Sequence, residues 1–244
     1  MQRTLNEYGG TWRILKVYTN VNLAAPIGVL AFLGTGFVLL GVALTFFYGL
    51  ATRKSRLTRM TPLAATVVAG TYLGVMLIFS FASSQTSLSR GQEKHFCEID
   101  CHLAYSILDV SQTKTLGAAS DRATAAGTFY VVTIKTRFDE TTISATRGNG
   151  LLYPNSRVLT IIDENGRRYS SSADGQRVLE QSHDAGTAIT TPLRPGESYT
   201  SRFVFDLPSD VRTPELLINE GDWVTRWVIG HENSFAHKKT LFQI

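Results

Sequence analysis

Charge is missing from two long stretches of this 244-residue chain. No Asp, Glu, Lys, Arg or His occurs in residues 17–52, and none occurs in residues 61–89. Acid is scarce over the same region. Residues 1–84 hold seven Lys or Arg and one acid, Glu7, whereas the remainder holds 17 basic and 19 acidic residues. The formal charge of +4 therefore reflects the first third of the chain, and it excludes a basic nucleic-acid-binding domain. Cysteine is limited to Cys97 and Cys101. Their three-residue separation excludes the Cys-x2-Cys pair of thioredoxin-type chemistry. No Gly-x-Ser-x-Gly elbow, phosphate-cradling glycine loop or dinucleotide fingerprint is present, so no enzyme and no cofactor are expected.

What fills the uncharged stretches is apolar. A helix of about 20 apolar residues crosses a bilayer core of about 30 Å, and residues 24–50 and 62–83 each satisfy this. A cleaved signal peptide has an apolar region of about 7–15 residues, shorter than the first segment, and no second span follows it. The expectation is a two-helix transmembrane hairpin preceded by a tail, 1–23, in which Trp12, Arg13, Lys16 and Tyr18 read either as an interfacial segment or as part of an ordinary disordered tail. The connection, 51–61, carries Arg53, Lys54, Arg56 and Arg59 without an acid, and dense basic loops stay cytoplasmic. The N-terminus and the C-terminal part are accordingly expected outside a bacterial inner membrane. The absence of ionisable residues within either span argues against a pump or transporter. Small residues recur at every fourth position: Gly41, Thr45 and Gly49 in the first span, Thr66, Gly70 and Gly74 in the second. Such stripes let helix backbones approach closely, either within the hairpin or against another membrane subunit.

Residues 84–94 read as a polar linker and 95–244 as one β domain. Residues 129–138 alternate between apolar and wetter positions, as do 199–207 beyond Pro195-Gly196. Residues 158–162 and 167–171 flank Asp-Glu-Asn-Gly, a hairpin signal. Further strands are expected at 102–110, 216–218, 225–229 and 240–244, with a brief helix near 176–182. Short strands separated by turn residues predict an antiparallel sandwich.

The run from Pro192 to Pro208 (PLRPGESYTSRFVFDLP), followed by the 216–218 strand, resembles the immunoglobulin-like extracellular domains of many bacterial surface proteins of unknown function. Two spans followed by a sandwich that opens at Cys97-x3-Cys101 and closes on His237-Lys-Lys-Thr-x-Phe242 resemble a class of bacterial membrane-anchored hypothetical proteins. The layout is also similar to subunit II of haem-copper oxidases, a hairpin with an external β domain that binds copper through Cys-x3-Cys-x3-His-x2-Met. Here Tyr105 and Leu108 stand at the His and Met positions, and the cysteines follow the membrane directly. The resemblance implies an all-β immunoglobulin-like sandwich outside the membrane and, by analogy of layout, an accessory subunit of a respiratory or photosynthetic electron-transfer complex.

The densest chemistry is His95-Phe-Cys97-Glu-Ile-Asp-Cys101-His102. Its cysteines suit a disulfide in an oxidising compartment. Together with His95 and His102 they would instead suit Cu(I) or Zn2+, and a redox-active pair is the third reading. His231 and His237 lie six apart, which defeats the one-turn spacing of a zinc protease helix. Asp139-Glu140 and Asp163-Glu164 read as solvated turn pairs. Leu151, Leu152 and Tyr153 form an apolar loop tip, either a partner-docking loop or a plug folded into the core, and Trp223 and Trp227 read as core anchors or as partner anchors, with the core preferred. The function expected from these features is a non-catalytic accessory subunit whose partners are other membrane subunits and the lipid bilayer. Metal handling through residues 95–102 is the alternative.

Overall fold

The computed structural model describes residues 24–96, 102–142 and 147–244. Helix α1 spans Ala24–Ala51 and α2 spans Ser55–Ala82, and they run antiparallel across a turn of three residues. The basic connection expected over 51–61 is therefore mostly helix, with Arg56 and Arg59 in the first turns of α2. Gly49 sits in the seam, where a Cβ would come within 2.9 Å of the Leu57 Cβ. Outward-facing positions are occupied by Leu30, Leu33, Phe37, Leu44, Phe47, Leu63, Val67 and Ile78, all exposed.

Beyond the helices come β1 (Thr86–Leu88), β2 (Lys94–Phe96), β3 (Leu103–Leu116), β4 (Ala123–Phe138), β5 (Arg157–Ile162), β6 (Arg168–Tyr169), helix α3 (Ala173–Gln181), β7 (Ser198–Leu207), β8 (Glu215–Glu220) and β9 (Thr240–Gln243). They form two sheets, ordered β1-β9-β8-β5-β6 and β2-β3-β4-β7. Tyr105, Ile107, Ile134, Phe138 and Phe205 of one sheet share a buried cluster with Ile161, Leu216, Ile218 and Phe242 of the other, so the domain is a β-sandwich. Two expectations need correction. Within the expected linker, residues 86–88 form a strand and Lys94 begins another, and β1 pairs β9 in parallel, so the sandwich is not wholly antiparallel. Only three residues separate α2 from β1.

In β4 the buried face changes sides. Phe129 and Val131 are buried in the first half, then Val132, Ile134, Thr136 and Phe138 in the second. Helix α3 explains the switch. Its Val178 and Leu179 cover Phe129, Val131 and Val204 in a second apolar cluster on the outer face of the sheet. Ser172 caps α3 by accepting from the Gly175 N–H. Gly175 permits the close approach, since a Cβ there would lie 2.5 Å from Val204 Cγ1. The strand expected at 225–229 is instead a 3-10 turn over Val224–Trp227, with no ladder partner among the described residues. Asp222 and Asn233 provide the local alternative to a ladder. The Val224 N–H donates to Asp222 Oδ1, and Asn233 Nδ2 donates to the Asp222 carbonyl and to Thr225 Oγ1.

Candidate functional site

Strand register splits the His/Cys segment. His95 of β2, Ala104 of β3 and Arg137 of β4 form one cross-strand row, and the small Ala104 side chain lets the flanking groups meet. His95 Nε2 lies 3.0 Å from Asp139 Oδ2. Arg137 forks onto Glu93, with Nε 2.8 Å from Oε1 and Nη2 2.7 Å from Oε2, and Nη2 also lies 3.1 Å from Asp139 Oδ2. The possible ligand atoms of Glu93, His95 and Asp139 fall within 4.8 Å of one another. The guanidinium already supplies the cation there, and a divalent ion would have to displace it.

Titration follows from these contacts. The Arg137 hydrogen bond holds the Glu93 carboxyl below its ordinary value against the opposing effect of burial. Burial would raise the Asp139 carboxyl, but hydrogen bonds from Thr141, His95 and Arg137 outweigh it and hold it well below the usual carboxylate range. His102 is buried and stacks on Phe138 with ring centroids 5.6 Å apart, and its carbonyl accepts from the Asp139 N–H at 2.7 Å. Cys97 and Cys101 lie outside the described residues. Tyr105, at the position of the copper-binding His, is fully buried in the sandwich core, and Leu108 is exposed.

Neither acidic pair is simply solvated. Asp139 is buried in the network above, and Asp163 is buried at the β5–β6 turn. There it accepts from the backbone N–H groups of Asn165 and Arg167, from Arg167 Nε and from Tyr169 Oη. These bonds overcome its burial and lower its carboxyl. They are turn-building interactions with no nucleophile–base geometry.

The loop tip divides between its two readings. Leu152 is pinned inward, exchanging backbone hydrogen bonds of 2.8 and 3.0 Å with Leu193, while Leu151 and Tyr153 are exposed, Tyr153 at 69%. Of the small-residue stripes, Gly49 alone meets the partner helix closely. Gly41, Gly70 and Gly74 have nothing within 4 Å of a built Cβ, and Thr45 and Thr66 are exposed with their hydroxyls bonded to their own helix. Packing of the hairpin on itself therefore does not account for these stripes.

A further surface departs from the preferred core placement of the two tryptophans. Trp223 and Trp227 are exposed rather than in the core, at 68% and 42%, and Phe235 joins them at 65%. Their loop, 221–239, rests on the helices. Tyr72 Oη donates to the Trp227 carbonyl at 2.6 Å, the Lys238 N–H donates to Ser83 Oγ at 2.9 Å, and a Cβ on Gly28 would fall 1.9 Å from the Ile229 carbonyl oxygen. Buried charges clamp the loop from above. Lys94 Nζ lies 2.8 Å from Glu232 and donates to the carbonyls of Ile218 and Thr240. His231 Nε2 lies 3.2 Å from Glu220, whose other oxygen is 3.4 Å from Arg157. The Arg157 guanidinium sits 4.2 Å over the Phe96 ring. Burial pulls the Lys94 ammonium below its ordinary value, with Glu232 opposing the shift.

No known protein family and no curated protein matches the chain. Solved structures do. A secreted protein from Mycobacterium tuberculosis, MPT63, is 12% identical, with 67% of this chain and 100% of that one covered at a TM-score of 0.41. A conserved hypothetical protein from Bacillus anthracis is 15% identical over 54% of this chain and 89% of that one, with a TM-score of 0.39. An uncharacterized β-sandwich protein from Clostridium difficile is 12% identical over 66% and 95%, with a TM-score of 0.37.

The 221–239 surface escaped sequence reading because Trp, Val, Trp, Val and Ile at 223–229 mimic a core strand. Gly221-Asp222 before them and Gly230-His231-Glu-Asn after them are turn signals, but the seven residues between are long enough for a strand, so local sequence did not mark the difference.

Proposed function

We propose that this chain is a membrane-anchored, non-catalytic structural subunit, in which the hairpin spans the bilayer and carries an immunoglobulin-like sandwich in a fixed pose for assembly with other membrane subunits. The observation that carries the reading is the direct seating of the sandwich on the hairpin through Tyr72–Trp227, Ser83–Lys238 and the Gly28–Ile229 approach. A receptor or delivery module benefits from a free tether, whereas a rigid mount suits a part whose surfaces must meet neighbours in register. Two surfaces are available for that purpose. The outward Gly41/Thr45 and Thr66/Gly70 faces suit a transmembrane neighbour, and the exposed Leu151 and Tyr153 suit one outside the membrane.

The electron-transfer setting suggested by layout draws no residue from the described sandwich, since Tyr105 is core and His95 is committed to Asp139. In the metal-handling alternative, His95 would have to leave Asp139, 3.0 Å away, to join Cys97, Cys101 and His102 on a metal. Purification of the full chain in mild detergent should yield a defined complex at fixed stoichiometry. Gly70→Leu should dissociate it by several-fold in yield while leaving the sandwich's melting temperature unchanged. A monodisperse, partner-free protein would overturn the reading.

A further inference from the structure

We propose that the 221–239 loop is a lipid-contacting foot, with Trp223, Trp227 and Phe235 seated in the headgroup layer of the leaflet facing the sandwich. The inference rests on the proposal that α1 and α2 cross a membrane, and it adds what the domain itself does there.

Depth supports it. The loop does not stop at the top of the hairpin. Its Trp227 carbonyl accepts from Tyr72, ten residues before the end of α2 at Ala82, which is roughly 15 Å down a helix rising 1.5 Å per residue. Phe32 of α1 is level with Tyr72, with ring centroids 6.4 Å apart. From Phe32 to the turn at Thr52 is 20 residues, roughly 30 Å, the thickness of a bilayer hydrocarbon core. The loop's tip therefore falls at the upper boundary of that core. Were the core to extend up to Ala82 instead, the tip would lie within it. In either register the side of the loop facing away from the helices meets lipid.

Chemistry selects the shallower seat. Trp and Phe are the residues that partition to the interface, where Trp keeps an indole N–H for headgroup oxygens and an apolar ring for the upper chains. Beside them Arg226 and Lys238 are exposed and suit lipid phosphates, while Asp222 turns its carboxylate into the loop to accept from Val224. Glu232 of the loop is matched by Lys94. The loop thus exposes its aromatic rings together with Arg226 and Lys238, with Asp222 the exposed acid beside them. Its mounting is stiff: His231 and Glu232 are held by Glu220 and Lys94, and Ser234 Oγ donates to the Val228 carbonyl. Stiffness matters because three exposed aromatic rings on a mobile loop would fold back on themselves instead of holding one depth.

The chain has three tryptophans, so Trp12→Phe leaves the foot as the only indole signal, and adding Trp227→Phe assigns that signal to Trp223. The full-length Trp12→Phe protein is reconstituted into phosphatidylcholine vesicles containing phosphatidylglycerol, washed with alkaline carbonate, and read by tryptophan fluorescence. Retention after the wash, with several-fold stronger quenching by nitroxide at the headgroup end of the acyl chain than at its methyl end, and weak quenching by iodide, supports the foot. Retention with iodide quenching and no nitroxide effect overturns the foot and leaves the membrane reading intact. Protection from both quenchers means a protein covers the loop, and it overturns the foot as well. Stronger quenching from the chain terminus overturns the shallow seat. Release by carbonate overturns the membrane reading itself.

Discussion

The hairpin and the sandwich use the same side chains in opposite directions. Phe205, Phe138 and Leu216 of the sandwich are fully buried, whereas Phe37, Phe47 and Leu63 of the hairpin are exposed at 72%, 63% and 58%. A sandwich in water gains about 25 cal/mol per Å2 of apolar surface it hides. A helix pair that leaves such surface outside gains nothing from water, and it is consistent with a solvent as apolar as its own side chains. The boundary between the two regimes lies at the 221–239 loop, where Trp223, Trp227 and Phe235 are exposed on a domain that buries Phe96, Phe129, Phe138, Phe205 and Phe242.

The sharpest test of that contrast is a matched pair. Phe205→Ala should destabilise the sandwich by about 3–5 kcal/mol through lost burial and a cavity. Phe37→Ala, with the same atoms removed, should shift it by less than about 0.5 kcal/mol. Denaturant melts of both proteins in detergent, followed by sandwich near-ultraviolet dichroism, separate the two. Equal losses would mean that α1 is part of an aqueous core.

Next in size is Phe37→Asp. In mid-span it should cost about 3 kcal/mol of insertion, visible as a larger carbonate-extractable fraction. Unchanged extraction would place Phe37 outside the hydrocarbon.

The smallest effect is electrostatic. Asp139, Glu93 and Glu220 all have carboxyls held below their ordinary values in the folded state. For Glu220, burial works against the lowering, and the His231 hydrogen bond and the charges of His231 and Arg157 prevail. In the unfolded chain these groups titrate near pH 4. Between that value and their lower folded values the unfolded chain binds more protons. The stability they contribute is thus complete above about pH 5 and is lost as pH falls through their folded pKa values. Asp139→Asn should remove part of this acid dependence and cost about 1–3 kcal/mol at neutral pH, where Thr141 and Arg137 lose a charged acceptor. Urea midpoints between pH 3 and 7 measure it, and an unchanged acid slope would remove Asp139 from the account.

The strands were legible from local apolar residues. The 199–207 and 216–218 strands were anticipated, and Phe205, Leu207, Leu216 and Ile218 do lie in the main core, although Val204 joins the α3 cluster on the other face. In β4, local alternation located the strand but not the point where its buried face changes sides, because that depends on α3 arriving from 40 residues later. The His95–Asp139 contact was illegible for a related reason. It exists only after β2, β3 and β4 fix their register, and nothing near His95 in the chain marks Arg137 as its neighbour. Trp223 and Trp227 were placed in the core because their residue types favour burial, yet both are exposed on the 221–239 loop.

The pairing of β1 with β9 has a consequence for biosynthesis. Thr86 leaves α2 almost at once, yet its partner Thr240 is made about 150 residues afterwards. During translation the hairpin can be in place while the first strand waits beside it with both edges bare, because its one sheet neighbour, β9, forms only after residues 240–243 are made. Closure of so long a loop is slow and late. Any chaperone or neighbouring subunit that shields an exposed strand edge would act on Thr86, Ser87 and Leu88 in that interval, and its release would coincide with β9 taking its place.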